Sequence, residues 1–161
     1  MKIIVVGHGM VGHKFLEELH QLKLAHAEVS VLCEEPRPAY DRVHLSEFFA
    51  GKRAEDLSLV APGFFEQTGF SLRLKARASA IDRRNKTVTT ADGEVLPYDK
   101  LVLATGSVPF VPAVPGRDRP HCFVYRTIED LQAMQASGAK SRTGVVVGGG
   151  LLGLECAKAL R

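Results

Sequence analysis

The chain has 161 residues, 45% of them apolar, and 21 basic against 18 acidic residues give a formal charge of +3. That suffices for one ordinary core; the well-mixed charge says little about partners, but the densest basic stretch, Arg83 to Lys86, lacks interleaved aromatics and reads as a polar turn rather than a nucleic-acid patch, so no nucleic-acid partner is expected. No run approaches the roughly 18 apolar residues of a membrane span, and the first apolar block is too short for a signal peptide, so no membrane association and a cytoplasmic location are expected.

The opening stretch, Lys2-Ile-Ile-Val-Val-Gly7-His8-Gly9-Met10-Val11-Gly12, organises the rest of the chain. Ile3 to Val6 form a short β-branched block of the kind found in a parallel strand covered on both faces. Gly7 permits a tight turn, Gly9 lets bare backbone approach a pyrophosphate, and Gly12 lets the next helix pack closely. That helix is expected to carry Val11, Phe15, Leu19 and Leu22 on one buried stripe and to offer its first amides to a phosphate. A second apolar run, Val29 to Cys33, ends in Glu34, about twenty residues beyond the last glycine, where a carboxylate can hydrogen-bond ribose hydroxyls. The bland alternative is a plain βαβ unit with an incidental glycine turn.

Pro36 and Pro38 then open an extended loop, and the segment to Gly51 reads as a short helix. In a doubly wound sheet this loop lies beside the ligand crevice, with Arg42 near a phosphate or ring edge and Ser46 over the ligand; surface salt bridging and helix capping are the competing roles. Pro62 to Gln67 is expected as a second short helix ending near Gly69. A β meander is expected from Leu72 through Thr87–Thr90, with Asp92-Gly93 as a hairpin turn. Tyr98 to Gly106 reads as a buried strand running into the small-residue turn Ala104-Thr105-Gly106. Prolines at 109, 112, 115 and 120 give the most linker-like composition, which places one domain over 1–109 and the start of another over 110–161.

Beyond that linker, Thr127 to Asp130 reads as a capped helix start and Ser137-Gly138 as its end. Gly144 to Val147, followed by glycines at 148, 150 and 153, repeats the opening pattern of strand, elbow and helix. The second strand of that repeat is expected outside this chain, so the second nucleotide site is expected to be truncated and the segment from Phe110 onward incompletely packed. Cys33, Cys122 and Cys156 are widely spaced with no CxxC pair, which suggests neither a disulfide framework nor a metal site, and Cys33 and Cys156 read as core thiols. His8, His13 and His44 read as loop and helix-surface residues.

Two GxGxxG motifs separated by a meander and an Ala-Thr-Gly turn resemble the pyridine nucleotide-disulfide oxidoreductase superfamily. The longer strings Val5-Val-Gly-His-Gly-Met-Val-Gly-His13, Ala39-Tyr-Asp-Arg-Val-His-Leu-Ser46, Phe123-Val-Tyr-Arg-Thr-Ile-Glu-Asp-Leu131 and Val147-Gly-Gly-Gly-Leu-Leu-Gly-Leu-Glu155 resemble, more narrowly, the N-terminal flavin region of the assimilatory NAD(P)H nitrite reductase large-subunit family. The resemblance implies an α/β, Rossmann-like FAD/NAD(P)-binding fold with an inserted antiparallel meander. It gives Gly7, Gly9 and Gly12, with backbone amides from His8 to Val11, to the FAD pyrophosphate, and Glu34 to the adenosine ribose. Arg42 and Ser46 then lie near pyrophosphate and flavin, Ala78 contacts adenine through its backbone, and Ala104, Thr105 and Gly106 close over the cofactor.

Gly148, Gly150 and Gly153 are implied for NAD(P)H, and Glu155 for the neighbourhood of flavin and nicotinamide, with a first-turn dipole role as its bland alternative. The residue after Leu45-Ser46, a lysine or redox cysteine in related members, is Glu47 here, so thiol chemistry is not expected. The implied activity is hydride transfer from NAD(P)H to FAD, with electrons passing to iron-sulfur and sirohaem centres, in downstream redox domains or a small subunit outside this chain, that reduce nitrite to ammonium. A rubredoxin or ferredoxin reductase, or a nucleotide-binding module without turnover, are the alternatives.

Overall fold

The computed structural model of the chain describes residues 1–160. Its contacts divide it into two units, one comprising Met1–Tyr40 with Ser58–Gly106, the other Asp41–Leu57 with the residues from Ser107 onward.

The first unit is built on a four-stranded parallel sheet. Its strands are β1 (Lys2–Val6), β2 (Glu28–Leu32), β3 (Ser71–Arg73) and β7 (Lys100–Leu103), in the order β3-β2-β1-β7. Because β1 lies inside the sheet, successive side chains must be apolar on both faces. Ile3 and Val5 pack with Val29, Val31 and, from helix α1 (Met10–Gln21), Leu16 and Leu19. Ile4 and Val6 point the other way, to Leu32 and Val88.

The second face is covered by the antiparallel meander β4 (Ala78–Asp82), β5 (Thr87–Thr90) and β6 (Val95–Pro97). Val88 of β5 is fully buried against the sheet, with Ala78, Leu96 and Tyr98 around it. The Asp92-Gly93 turn forms where expected: Gly93 has φ 91°, and the Thr90 amide donates to the Glu94 carbonyl at 2.9 Å. Helix α2 (Phe64–Thr68) ends on Gly69 in the left-handed conformation.

Two expectations for this unit need correction. Val11 and Leu22 are 75% and 68% exposed; the inward face of α1 is Gly12, His13, Leu16 and Leu19. The physical reason is Gly12 itself, which must face the preceding turn and so sets the helix rotation, bringing Leu16 and Leu19 inward at helical spacing. The segment at Leu72 does not begin the meander either. It pairs in parallel with β2, Val31 opposite Leu72, and the meander starts at Ala78.

The second unit holds two short 3-10 turns, Leu45–Phe48 and Glu55–Leu57, and helices α3 (Ile128–Gly138) and α4 (Leu151–Ala159). Thr127 caps α3 in a reciprocal capping box with Asp130, and Ile128, Leu131 and Met134 are its buried face. The strand expected at 144–147 is absent: no described strand pairs with this segment, and Val145 and Val147 are 83% and 88% exposed. An extended segment becomes a strand only when a neighbour takes its backbone hydrogen bonds.

Candidate functional site

At the C-terminal end of β1 the chain turns through Gly7, whose φ is 103° and whose amide donates to the Leu32 carbonyl at 2.8 Å. A Cβ on Gly7 would lie 2.2 Å from the Ala104 carbonyl oxygen, and one on Gly12 would lie 2.3 Å from the Gly7 carbonyl oxygen and 3.5 Å from the Ala104 methyl. Turn, helix and the residue after β7 therefore close on each other with no room for a side chain. Gly9 is the opposite case. Its backbone is extended, at φ −95°, and a Cβ there would meet nothing within 4 Å.

Gly9 caps α1 without a side chain, and the first turn, Met10, Val11 and Gly12, contains no acidic residue. The positive end of the helix thus faces open space with no anionic side chain from that turn to answer it. A bare backbone with open space above it, next to a sealed turn, fits a diphosphate.

The Ala104-Thr105-Gly106 turn belongs to the same place. Ala104 donates its amide to the Val6 carbonyl at 2.8 Å, continuing β7, and Gly106 has φ 70°. Glu34 follows β2 at the same end of the sheet, because β1 and β2 are in register with Val6 opposite Leu32. It is exposed, and its carboxylate is 3.7 Å from the Arg77 guanidinium, one residue before Ala78, the first residue of β4. The structure thus gathers Gly7 to Gly12, Glu34, Ala78 and Ala104 to Gly106 within one unit.

His8 and His13, expected at the surface, are 4% and 3% exposed. His8 Nδ1 accepts the Ala39 amide at 3.0 Å, and its ring stands edge-on to His13 and Phe65, each at 5.4 Å. Burial, with His13 as the second cause, pushes the His8 imidazole down to about 4. His13 packs edge-on to Phe64 and is also pushed below the usual histidine value, chiefly by burial, with the Glu17 carboxylate opposing. His13 directly follows the inward-facing Gly12 and precedes Leu16 by three, a helical spacing that signals its burial. His44 does lie exposed, 2.7 Å from the Asp41 carboxylate, which holds it above its ordinary value.

In the second unit, the Arg42 guanidinium donates to the Arg126 carbonyl at 2.9 Å, just ahead of the α3 cap. The Ser46 hydroxyl donates to the Glu155 carboxylate at 2.5 Å. Ser46, Glu47, Phe49, Glu155 and Lys158 line a cleft of about 430 Å³. Tyr125 stacks on Phe49, and its phenol is pushed up to about 12 by burial and then by Glu155. Burial, and again Glu155, also raises the Cys156 thiol, which keeps it protonated and unreactive.

The second glycine elbow repeats the first in its backbone turn and at its helix start, but a Cβ on Gly148 would meet nothing within 4 Å, so the seal found at Gly7 is not repeated. Gly148 has φ 125°, Gly150 caps α4 with nothing within 4 Å of a Cβ, and a Cβ on Gly153 would lie 2.0 Å from the Gly148 carbonyl oxygen. Among the described residues no helix is long and apolar enough to cross a membrane.

A parallel sheet whose first strand turns through such an elbow, with an antiparallel meander inserted on one face, defines a Rossmann-like FAD/NAD(P)-binding α/β domain. The chain belongs to the pyridine nucleotide-disulphide oxidoreductase family, whose model matches residues 1–161. It is 49% identical over 162 residues to the nitrite reductase (NADH) large subunit of Escherichia coli (strain K12), a match covering 100% of this chain and 19% of that protein. It is 54% identical to the nitrite reductase [NAD(P)H] large subunit of Klebsiella oxytoca, covering 99% of this chain and 17% of the relative. The chain therefore spans less than a fifth of these relatives. Among solved structures, NADH:rubredoxin oxidoreductase from Clostridium acetobutylicum superposes with a TM-score of 0.87 at 26% identity, over 99% of this chain and 41% of that one.

Proposed function

We propose that the chain is the flavin module of an NAD(P)H-dependent oxidoreductase, and that the full-length enzyme reduces nitrite to ammonium in the cytoplasm. The observation that carries this reading is the first elbow, where Gly7 and Gly12 are sealed against backbone while Gly9 opens the uncapped start of α1 to space. Its relatives named as nitrite reductases support the finer assignment.

In this reading the amides from His8 to Val11 hold the FAD diphosphate, with Gly9 giving it access, and Glu34 orients the ribose. Ala78 and the Ala104-Thr105-Gly106 turn border the adenosine and flavin portions. The family resemblance gives Arg42 and Ser46 roles near the pyrophosphate and flavin, and Glu155, which accepts from the Ser46 hydroxyl, a role near the flavin and nicotinamide. Gly148, Gly150 and Gly153 begin the NAD(P)H site, in a domain starting near residue 110 after an FAD domain over 1–109. When bound, FAD supplies the two-electron acceptor and one-electron donor chemistry that no side chain here provides. The chain's own part is to bind and orient; the protonated Cys156 takes no part. Electrons would then leave for iron-sulfur and sirohaem centres in downstream domains or a small subunit.

The likeness to the rubredoxin oxidoreductase supports a second reading, in which electrons leave to a separate acceptor protein. The test is an anaerobic titration of the purified full-length enzyme with NADH, then nitrite. Bleaching of the flavin band by NADH and its return with nitrite are expected. Bleaching without return on nitrite, but with return on rubredoxin, selects the second reading, and absence of any flavin band overturns both.

A further inference from the structure

The loop after β2 is tied down on one side by the β3–β4 segment. Ala76 donates its amide to the Cys33 carbonyl at 2.8 Å and Lys75 donates to the Glu35 carbonyl at 3.1 Å, while within the loop itself the Tyr40 hydroxyl donates to the Glu35 carboxylate at 2.8 Å. On the side of the glycine elbow the link is made by His8, whose Nδ1 takes the Ala39 amide at 3.0 Å. Pro36 and Pro38 have no amide hydrogen to offer, and of the amides that remain in this stretch it is that of Ala39 that reaches the His8 ring. That amide belongs to a buried residue and needs an acceptor.

We propose that the His8 side chain is a positioning residue for the adenosine diphosphate half of the flavin nucleotide, its Nδ1 latching the loop that presents Glu34 at a fixed reach from the elbow amides. This rests on the flavin reading above. His8 lies between Gly7 and Gly9, so any shift of the latched loop changes the distance between the diphosphate cradle and the ribose carboxylate. Accepting at Nδ1 places the ring proton on Nε2, which is buried without a hydrogen-bond partner among the described residues. The ring is neutral at ordinary pH because burial disfavours its charged form. A side chain chosen only to fill space among His13 and Phe65 would not need an acceptor at that atom.

The experiment separates acceptor from bulk in the full-length flavoprotein. Asn in His8→Asn places Oδ1 near the Nδ1 position and keeps the acceptor while losing the ring; His8→Leu keeps bulk and loses the acceptor. H8L is expected to weaken FAD and ADP binding by about tenfold or more, and H8N to remain within about threefold of wild type. Equal affinities for H8L and wild type, or H8N as weak as H8L, overturn the latch. Should H8L fail to fold, nitrogen NMR of the wild-type ring decides: the Nε2–H tautomer and slow exchange of the Ala39 amide are expected, and an Nδ1–H tautomer overturns the proposal. Wild-type protein that binds neither FAD nor ADP refutes the flavin reading itself, and this inference with it, and differs visibly from the case where wild type binds and the variants do not discriminate.

Discussion

At the residue scale, the three glycines of the first elbow do different work, and substitution should separate them. Gly7→Ala puts a methyl 2.2 Å from the Ala104 carbonyl oxygen at a positive φ, and Gly12→Ala puts one 2.3 Å from the Gly7 carbonyl oxygen. Neither neighbour is a side chain that can swing away, so each change should cost about 3 kcal/mol or more in urea unfolding. Gly9→Leu enters open space at an ordinary φ, so stability should hold within about 1 kcal/mol while flavin co-purification is lost. Retained flavin in that variant would remove Gly9 from the binding mode. The buried histidines set a pH dependence. His8 titrates at about 4 in the folded chain against an ordinary 6.5. Between those values the unfolded chain takes up a proton that the native chain refuses, so this contribution is complete above about pH 6.5 and is lost as pH falls toward 4. His13 acts in the same direction. The His8 part is on the order of 3 kcal/mol, and the fall in unfolding free energy between pH 7 and 4.5, read from urea unfolding, should be smaller in H8N than in wild type by a comparable amount.

At the element scale, local signals decide what is readable. The capping box on α3 is written in Thr127 and Asp130 and forms with both bonds, the Asp130 amide to the Thr127 hydroxyl at 3.2 Å and the Thr127 amide to the Asp130 carboxylate at 2.8 Å. Thr127→Ala should cost about 1 kcal/mol in thermal or urea unfolding, and Thr127→Ser much less. The hairpin at Asp92-Gly93 and the stop at Gly69 are similarly local. Hydropathy misleads on the face of α1, because Val11 and Leu22 look buried by that measure alone. The tight contact of Gly12 with the Gly7 carbonyl, a steric fact rather than an apolar one, fixes the rotation instead. β3 is not legible as a sheet strand because its partner, β2, lies some forty residues earlier, with nothing in Ser71–Arg73 that names it. The second elbow shows the converse. Gly148, Gly150 and Gly153 adopt the same local geometry as Gly7, Gly9 and Gly12 although the preceding segment pairs with no described strand, so the elbow is encoded by its own glycines.

At the scale of the whole molecule, the parallel sheet is legible because Ile3 to Val6 admit burial on both faces, while the contacts that shape the site are not. Ser46 and Glu155 meet across 109 residues of sequence, and His8 reaches Ala39 across 31; no periodicity reports a pair of that kind. Exposure is the other property that only the folded chain displays. Val145, Val147, Leu151, Leu152 and Leu154 are all exposed within one short segment of the second unit, an apolar stretch of the kind that soluble monomers seldom leave uncovered. As an isolated protein, residues 1–161 should therefore self-associate as concentration rises. Replacing Val147 and Leu151 together by Gln should raise the concentration at which dimer appears in sedimentation by about tenfold. The melting temperature should hardly move, because side chains already in water lose no burial when they become polar. A large fall in melting temperature with unchanged association would mean that these residues pack into the second unit's own core, and that the apolar stretch is not what drives the chains together.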